Sequence, residues 1–131
     1  LHDFPAQPGR QFGVNDPATN LCAGCRQGVD IIDPTGLDPN SSTSGCEPED
    51  FLGFTPGNIA IVQRGSCSFA QKALNAEAAG AVGVIIFNEG QPGRDVAFLG
   101  TLGGPGLTIP AVGAAYDVGL ELSAGGVIVR M

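Results

Sequence analysis

Residues 57–88 read GNIAIVQRGSCSFAQKALNAEAAGAVGVIIFN, and this stretch decides the fold. Residues 59–62 are a continuous apolar run of strand length, which is typical of a strand buried on both faces. Residues 69–79 contain many helix formers and few β-branched side chains, so we predict a helix there. Residues 81–87 are a second buried strand. Because strand–helix–strand crossovers are almost always right-handed, we expect two parallel strands with the helix over one face.

The predicted helix has recognisable ends and two distinct faces. Ser66 or Ser68 can accept a hydrogen bond from a free N–H group of the first turn. Gly80 suits the left-handed conformation that follows many helix ends, so the helix should stop there. One face is small and apolar, which favours close packing on a sheet, and the other is polar. The apolar face comprises Phe69, Ala70, Ala73, Leu74, Ala76 and Gly80, and the opposite face comprises Gln71, Lys72 and Asn75.

Turn-forming residues dominate the segments on both sides of this unit. Residues 1–57 are predicted to be loops with one or two short strands, and residues 29–32 are one of their short apolar islands. Residues 33–45 hold almost no large apolar side chain, so we expect an exposed, mobile loop. Asn40 begins a glycosylation sequon there, which we interpret as a polar turn. Residues 88–108 are rich in Gly and Pro and predict a long loop, and such loops are often functional.

The C-terminal part of the chain predicts three further short elements. Residues 109–112 resume a strand, and Pro110 places it at a sheet edge or at a strand start. Residues 114–123 suit a short helix, and residues 127–129 suit a final strand.

Length and composition indicate one folded domain spanning residues 1–131. Hydrophobic residues make up 43% of the chain and charged residues 15%, a balance that favours burial. The formal net charge of −7 disfavours nucleic acid and anionic membranes as partners. The longest nearly apolar stretch, residues 78–87, is too short to cross a bilayer. The start, Leu-His-Asp-Phe-Pro, does not resemble a signal peptide, so we expect that any secretion signal has been removed or lies outside this sequence.

Four cysteines could form disulfides or ligate a metal, and they are Cys22, Cys25, Cys46 and Cys67. Disulfides fit better, because one Cys-x-x-Cys pair with two isolated cysteines is only half of a zinc-site pattern. The Cys22–Cys25 pair could be a redox dithiol, but it does not follow a strand into a helix. We therefore expect disulfides and no metal or other cofactor.

Catalytic machinery is not readable in the sequence. The only histidine is His2, close to the start, so a Ser-His-Asp or Cys-His arrangement lacks a well-placed base. Glu47, Glu49 and Asp50 lack the alternating spacing of a calcium loop and predict a solvated acidic face. Residues 100–106 are Gly-rich but lack the Lys-Ser/Thr ending of a phosphate cradle. We expect that the domain itself is not an enzyme.

Several pieces of the sequence, taken in order, resemble the protease-associated domain. They are residues 57–69, Lys72, Ala76, residues 79–81, residues 84–88 and residues 108–112. The resemblance covers roughly residues 45–131 and is specific as a set. Residues 45–51 also look like the segment preceding the first strand in members from bacterial zinc-dependent aminopeptidases and subtilisin-like proteases. Residues 1–44 match less clearly and are expected to be an irregular N-terminal part.

The resemblance implies an α/β (α+β) swivelling β/β/α fold, with a small mixed β-sheet or open barrel and flanking short helices. Cys46 and Cys67 lie where similar domains carry a disulfide, and we expect a second structural disulfide between Cys22 and Cys25. Just past the first strand, Arg64 is expected to fix the turn into the helix. The other positions expected to be structural are Gly65, Phe69 and Gly80.

The resemblance also implies a non-catalytic accessory module of a secreted, extracellular peptidase, which controls substrate access or mediates protein–protein interaction. The loops 33–45 and 88–108 would then meet the peptidase catalytic domain or a peptide or protein substrate. In the second loop the expected contact residues are Asn88, Arg94, Asp95, Phe98, Leu99 and Thr101. One alternative is a lumenal or extracellular ligand-binding domain of a sorting-type receptor. Another is a thiol oxidoreductase that uses Cys22 and Cys25.

Overall fold

A four-stranded parallel sheet is the centre of the molecule. The computed structural model describes residues 15–16, 21–22, 25–97 and 106–124. Within these residues the strands are β1 (Asn15–Asp16), β2 (Leu21–Cys22), β3 (Arg26–Val29), β4 (Ile59–Gln63), β5 (Gly83–Phe87) and β6 (Ala111–Ala114), and the α-helices are α1 (Phe69–Ala78) and α2 (Tyr116–Ala124). The main sheet has the order β3-β4-β5-β6, and its neighbouring strands are all parallel. The separate β1 and β2 pair is antiparallel.

The predicted strand–helix–strand unit is confirmed. Strands β4 and β5 pair in parallel, with Ile59 opposite Gly83 and Gln63 opposite Phe87. Helix α1 begins after Ser68, whose side chain accepts a hydrogen bond from the Gln71 N–H. After its last residues the chain turns at Gly80, where φ is +96° and an added Cβ would lie 2.7 Å from Pro56. The mixed α/β class follows from this unit.

Two apolar clusters lie on opposite faces of the sheet, because successive side chains of a strand point to opposite sides. On one face Val62 and Val84 pack with Ala73 and Ala76 of α1. On the other face Ile61, Ile85 and Phe87 pack with Leu122 of α2. All residues of β4 and β5 are buried, so these strands are covered from both sides.

The position of the first strand of the main sheet differs from the apolar island at residues 29–32. Strand β3 is Arg26–Val29 and has the largely polar sequence RQGV. Its side chains are held by tertiary hydrogen bonds, from Arg26 Nε to the Leu122 carbonyl at 2.8 Å and from Gln27 Nε2 to the Gly53 carbonyl at 3.0 Å. The Gln63 side chain bonds both the N–H and the carbonyl of Ile32. These backbone groups are therefore occupied by a side chain and not by a strand.

The C-terminal strand and helix are present as predicted, but each begins two residues later than expected, at 111 instead of 109 and at 116 instead of 114. Strand β6 begins directly after Pro110, is the outermost of the described strands next to β5, and is followed by α2. The strand expected at 127–129 lies outside the described residues.

Helix α2 can approach the sheet because Gly119 has no side chain. A Cβ at this position would lie 1.9 Å from Cγ of Phe87. Gly119→Ala is therefore expected to lower the free energy of unfolding by about 2 to 3 kcal/mol, since the helix or the ring must move. Urea unfolding measures the effect. Glu121→Ala, on the exposed side of the same helix, is the control and should change stability by less than about 0.5 kcal/mol. Equal effects in the two variants would contradict the close contact.

Candidate functional site

Three loops leave the sheet at the same edge, because β3, β4 and β5 are parallel and all end there. They are residues 30–45, 64–68 and 88–97, and together they form what we call the carboxyl-end surface. In open α/β sheets this edge is where ligands usually bind. The two loops that are predicted to make contacts both lie on this surface. The first contributes all of residues 33–45, and the second contributes residues 88–97, which are its described part.

A buried carboxylate joins the two loops. Glu89, which is fully buried, accepts hydrogen bonds from the backbone N–H groups of Asn40 and Ser42, each at 2.7 Å. It also forms an ion pair with Arg94 at 3.2 Å, and Arg94 in turn donates to Oδ1 of Asn40 at 3.0 Å. Burial alone raises the pKa of Glu89, but these hydrogen bonds and the Arg94 charge outweigh it and lower the pKa. The carboxylate is thus held in its charged form.

The expectation that residues 33–45 form an exposed loop is wrong for some of its residues, and the second loop also has buried polar side chains. Ser42 and Ser44 are fully buried, and Asn88 and Gln91 are nearly so. Asn88 accepts a hydrogen bond from Arg64 at 3.3 Å and donates to the Val96 carbonyl at 2.8 Å. These polar groups are buried because they bond to one another and to the backbone. Asn88 therefore connects Arg64, after β4, to the second loop.

The other predicted contact residues differ in their surroundings. Arg94 is partly buried and Asp95 is exposed. The Asp95 carbonyl accepts a hydrogen bond from the Tyr116 N–H at 2.9 Å. Phe98, Leu99 and Thr101 lie outside the described residues.

Only part of the polar face of α1 is exposed to solvent. Lys72 is fully buried, and its Nζ donates to the Ser44 carbonyl and lies 3.6 Å from Sγ of Cys46. Burial lowers the pKa of Lys72 to about 8, against the opposing effect of the negative charges of Glu89, Asp50 and Asp30.

Two further side chains of this face reach the same segment. Gln71 Nε2 donates to the Cys46 carbonyl at 2.7 Å, and Asn75 Nδ2 donates to the Gly45 carbonyl at 3.0 Å. With Lys72, the helix thus satisfies the carbonyls of three consecutive residues, 44–46.

A disulfide between Cys46 and Cys67 links the same segment to the turn before α1. Cys25 is also disulfide-bonded, whereas the side chain of Cys22 lies outside the described part. Glu47 and Glu49 are exposed and Asp50 is partly exposed. Over the described ranges, no group of three or more His, Cys, Asp or Glu side chains could hold a metal ion.

The turn from β4 into α1 is closely packed against the first loop. The Arg64 N–H donates to the Phe87 carbonyl at 2.8 Å, and the Arg64 guanidinium lies 5.9 Å from the centre of the Phe69 ring. A Cβ on Gly65 would lie 1.9 Å from the Ser42 carbonyl oxygen. Only glycine fits this contact without movement of the backbone.

Two grooves open on the carboxyl-end surface. The first groove, of about 380 Å³, is lined by Asn40, Arg64, Gly65, Cys67, Ser68, Phe69 and Ala70. The second groove, of about 540 Å³, is lined by Pro34, Thr35, Gly36, Leu37, Asp38, Gly90, Gln91, Pro92 and Tyr116. The first groove therefore has mainly apolar walls with one cationic side chain, Arg64, and the second has mixed polar and apolar walls with one carboxylate, Asp38. Burial and the charge of Asp33 raise the pKa of Tyr116, so its hydroxyl stays protonated at neutral pH.

A family model of the PA domain matches residues 31–122, which include strands β4 to β6, helix α1, most of α2 and nearly all of the carboxyl-end surface. The chain belongs to the PA domain family.

Similar proteins are aminopeptidases. Aminopeptidases from two strains of Pseudomonas aeruginosa are 51% identical over 88 residues, which is 64% of this chain and 16% of theirs. Leucine aminopeptidase 2 of Trichophyton equinum is 34% identical over 85 residues, with the same shares of the two chains. A zinc aminopeptidase structure from Bacillus subtilis is 36% identical with a TM-score of 0.54, over 62% of this chain and 19% of that one. The chain thus spans about a sixth of the length of these curated relatives.

The sequence reasoning missed Lys72 and Glu89 as members of this site. Glu89 had a readable signal, because it comes two residues after the end of a buried strand, where parallel strands place polar groups together. Lys72 lies only one residue before Ala73, which belongs to the buried face of α1.

No helix among the described residues is both long and apolar enough to span a membrane.

Replacing Glu89 tests whether this carboxylate holds the two loops of the PA domain. Glu89→Gln should lower the free energy of unfolding by about 3 kcal/mol, because Arg94 loses its ion-pair partner and one backbone N–H loses its acceptor. The folded-state pKa of Glu89 is lowered from 4.5, so its stabilisation is present above pH 4.5 and is lost as the pH falls through the folded-state value.

Urea unfolding of the unmodified domain and of Glu89→Gln between pH 3 and pH 7 would measure the difference in their free energies of unfolding. Glu49→Gln, at an exposed position, is the matched control and should change stability by less than about 0.5 kcal/mol. A difference that is constant over this pH range would contradict the role of the Glu89 charge.

Proposed function

We propose that this PA domain is a non-catalytic accessory module of a secreted aminopeptidase and that its carboxyl-end surface contacts peptide substrate or the catalytic domain. The observation that carries the proposal is the buried Glu89, which fixes two loops beside each other around open grooves. The similarity to aminopeptidases supports the proposal that the parent protein is an aminopeptidase. The Cys46–Cys67 disulfide supports an oxidising compartment.

A non-catalytic role is supported by how the buried polar side chains are used. Glu89, Lys72 and Gln63 each bond to backbone groups of the loops they support. Catalytic acids and bases must instead face the reacting group of a substrate.

The second groove has the character of a contact site for an extended peptide. Leu37 in its wall has 44% of its surface exposed, and Val96 on the neighbouring loop has 64% exposed. Apolar side chains of a peptide could be covered there, while its amide N–H groups meet the carboxylate of Asp38, an exposed residue of the wall.

The purified PA domain is expected to release no product from aminoacyl p-nitroanilides or short peptides, with or without added Zn²⁺. An aminopeptidase assayed in the same buffers is the positive control. Turnover that disappears after a single substitution in the PA domain would refute the non-catalytic role.

Contact at the carboxyl-end surface is tested by two matched leucines. In the full-length peptidase that the proposal requires, Leu37→Asp should lower kcat/KM for peptide substrates by about fivefold, because an apolar contact is lost. Leu52→Asp, where 84% of the leucine is exposed at a position preceding β4, should leave kcat/KM unchanged. Equal effects would place the contact elsewhere.

A further inference from the structure

The two sulfurs of the Cys46–Cys67 disulfide lie in different surroundings. Cys46 has only 5% of its surface exposed, and its Sγ lies 3.6 Å from the Lys72 ammonium and 3.7 Å from the Ser66 hydroxyl oxygen. Cys67 is partly exposed and lines the first groove. A reagent in the groove therefore meets Cys67 first, whereas the positive charge of Lys72 lies beside Cys46.

We propose that this disulfide is a directional thiol-exchange site, at which a small anionic thiol enters the first groove and becomes joined to Cys67 while Cys46 leaves as a thiolate beside Lys72. The Arg64 side chain in the groove wall favours an anionic reagent. The product is a mixed disulfide on Cys67.

The step is balanced without a further oxidant or reductant. An electron pair of the incoming thiolate forms a new bond to Sγ of Cys67, and the pair of the Cys46–Cys67 bond moves to Sγ of Cys46. One thiolate is consumed and one is produced. The attacking sulfur is oxidised and the Cys46 sulfur is reduced.

Lys72 assists because a thiol with a lower pKa is a better leaving group, and a neighbouring ammonium lowers the pKa of a thiol. Its amine, with a pKa of about 8, is mostly protonated at neutral pH. The charged groups that act on it are Glu89, Asp50 and Asp30.

The fold can hold the opened disulfide in place. Gln71 and Asn75 bind the carbonyls of Cys46 and Gly45 without involving sulfur, so residues 44–46 remain attached to α1. The Cys46 thiolate therefore stays next to Lys72 and can reverse the exchange.

The direction of exchange can be read on the unmodified chain. The chain is treated with glutathione, free thiols are trapped with N-ethylmaleimide in acid, and tryptic peptides are analysed by mass spectrometry. Cleavage after Arg26, Arg64 and Lys72 puts Cys46 and Cys67 on separate peptides, away from Cys22 and Cys25. Glutathione should be found on Cys67 and maleimide on Cys46. Glutathione mainly on Cys46, or equally on both, would overturn the proposal.

The role of Lys72 is tested with a matched pair of variants. Lys72→Met keeps most of the side-chain length but removes the charge, and it should slow the exchange about threefold or more. Gln71→Met removes one hydrogen bond to the same segment without changing charge, so it measures how far the rate depends on attachment of the segment alone, and it should slow the exchange clearly less than Lys72→Met. Equal slowing in both variants would assign Lys72 a merely structural role.

The pH profile separates the charge of Lys72 from its packing. The rate per glutathione thiolate should fall as the pH rises through about 8 in the unmodified chain, and it should be flat there in Lys72→Met. A flat profile in the unmodified chain would also overturn the assistance by Lys72.

Discussion

The burial of the Glu89 carboxylate is the constraint on which the carboxyl-end surface depends. A charge away from water is tolerated only when hydrogen bonds and an opposite charge compensate for lost hydration. Here the compensation comes from two backbone N–H groups of the first loop and from Arg94. The path of residues 40–42 is consequently dictated by a side chain at the end of β5. The loop then forms part of the first groove through Asn40.

Helix α1 imposes a second constraint on the same loop. Its Lys72, Asn75 and Gln71 side chains bind three consecutive carbonyls, and the Cys46–Cys67 disulfide fixes the same segment covalently. The crossover helix therefore has two functions in the fold. One face covers the sheet, and the other holds residues 44–46. The close approach of Gly65 to the Ser42 carbonyl completes the attachment of this loop.

The sequence was sufficient for β4, α1 and β5 because their signals are local. Apolar runs and the helix-ending Gly80 describe a segment without reference to distant residues. The buried polar residues were not predictable in the same way, because their main partners in the first loop are distant in the sequence. The partners of Glu89 lie 47 and 49 residues away, and the partner of Lys72 lies 28 residues away. The same holds for β3, whose polar side chains bond to residues at 53 and 122. The resemblance to the protease-associated domain indicated the family, but it did not indicate that Glu89 and Lys72 are buried.

The internal bonding of the two loops has a consequence for recognition. Flexible loops lose conformational entropy when a ligand orders them, and that loss weakens binding. In this PA domain residues 38–42 and 89–94 are tied to each other before any ligand arrives. Much of the ordering of these residues has thus already taken place during folding, and a ligand that bound them would require little further rearrangement.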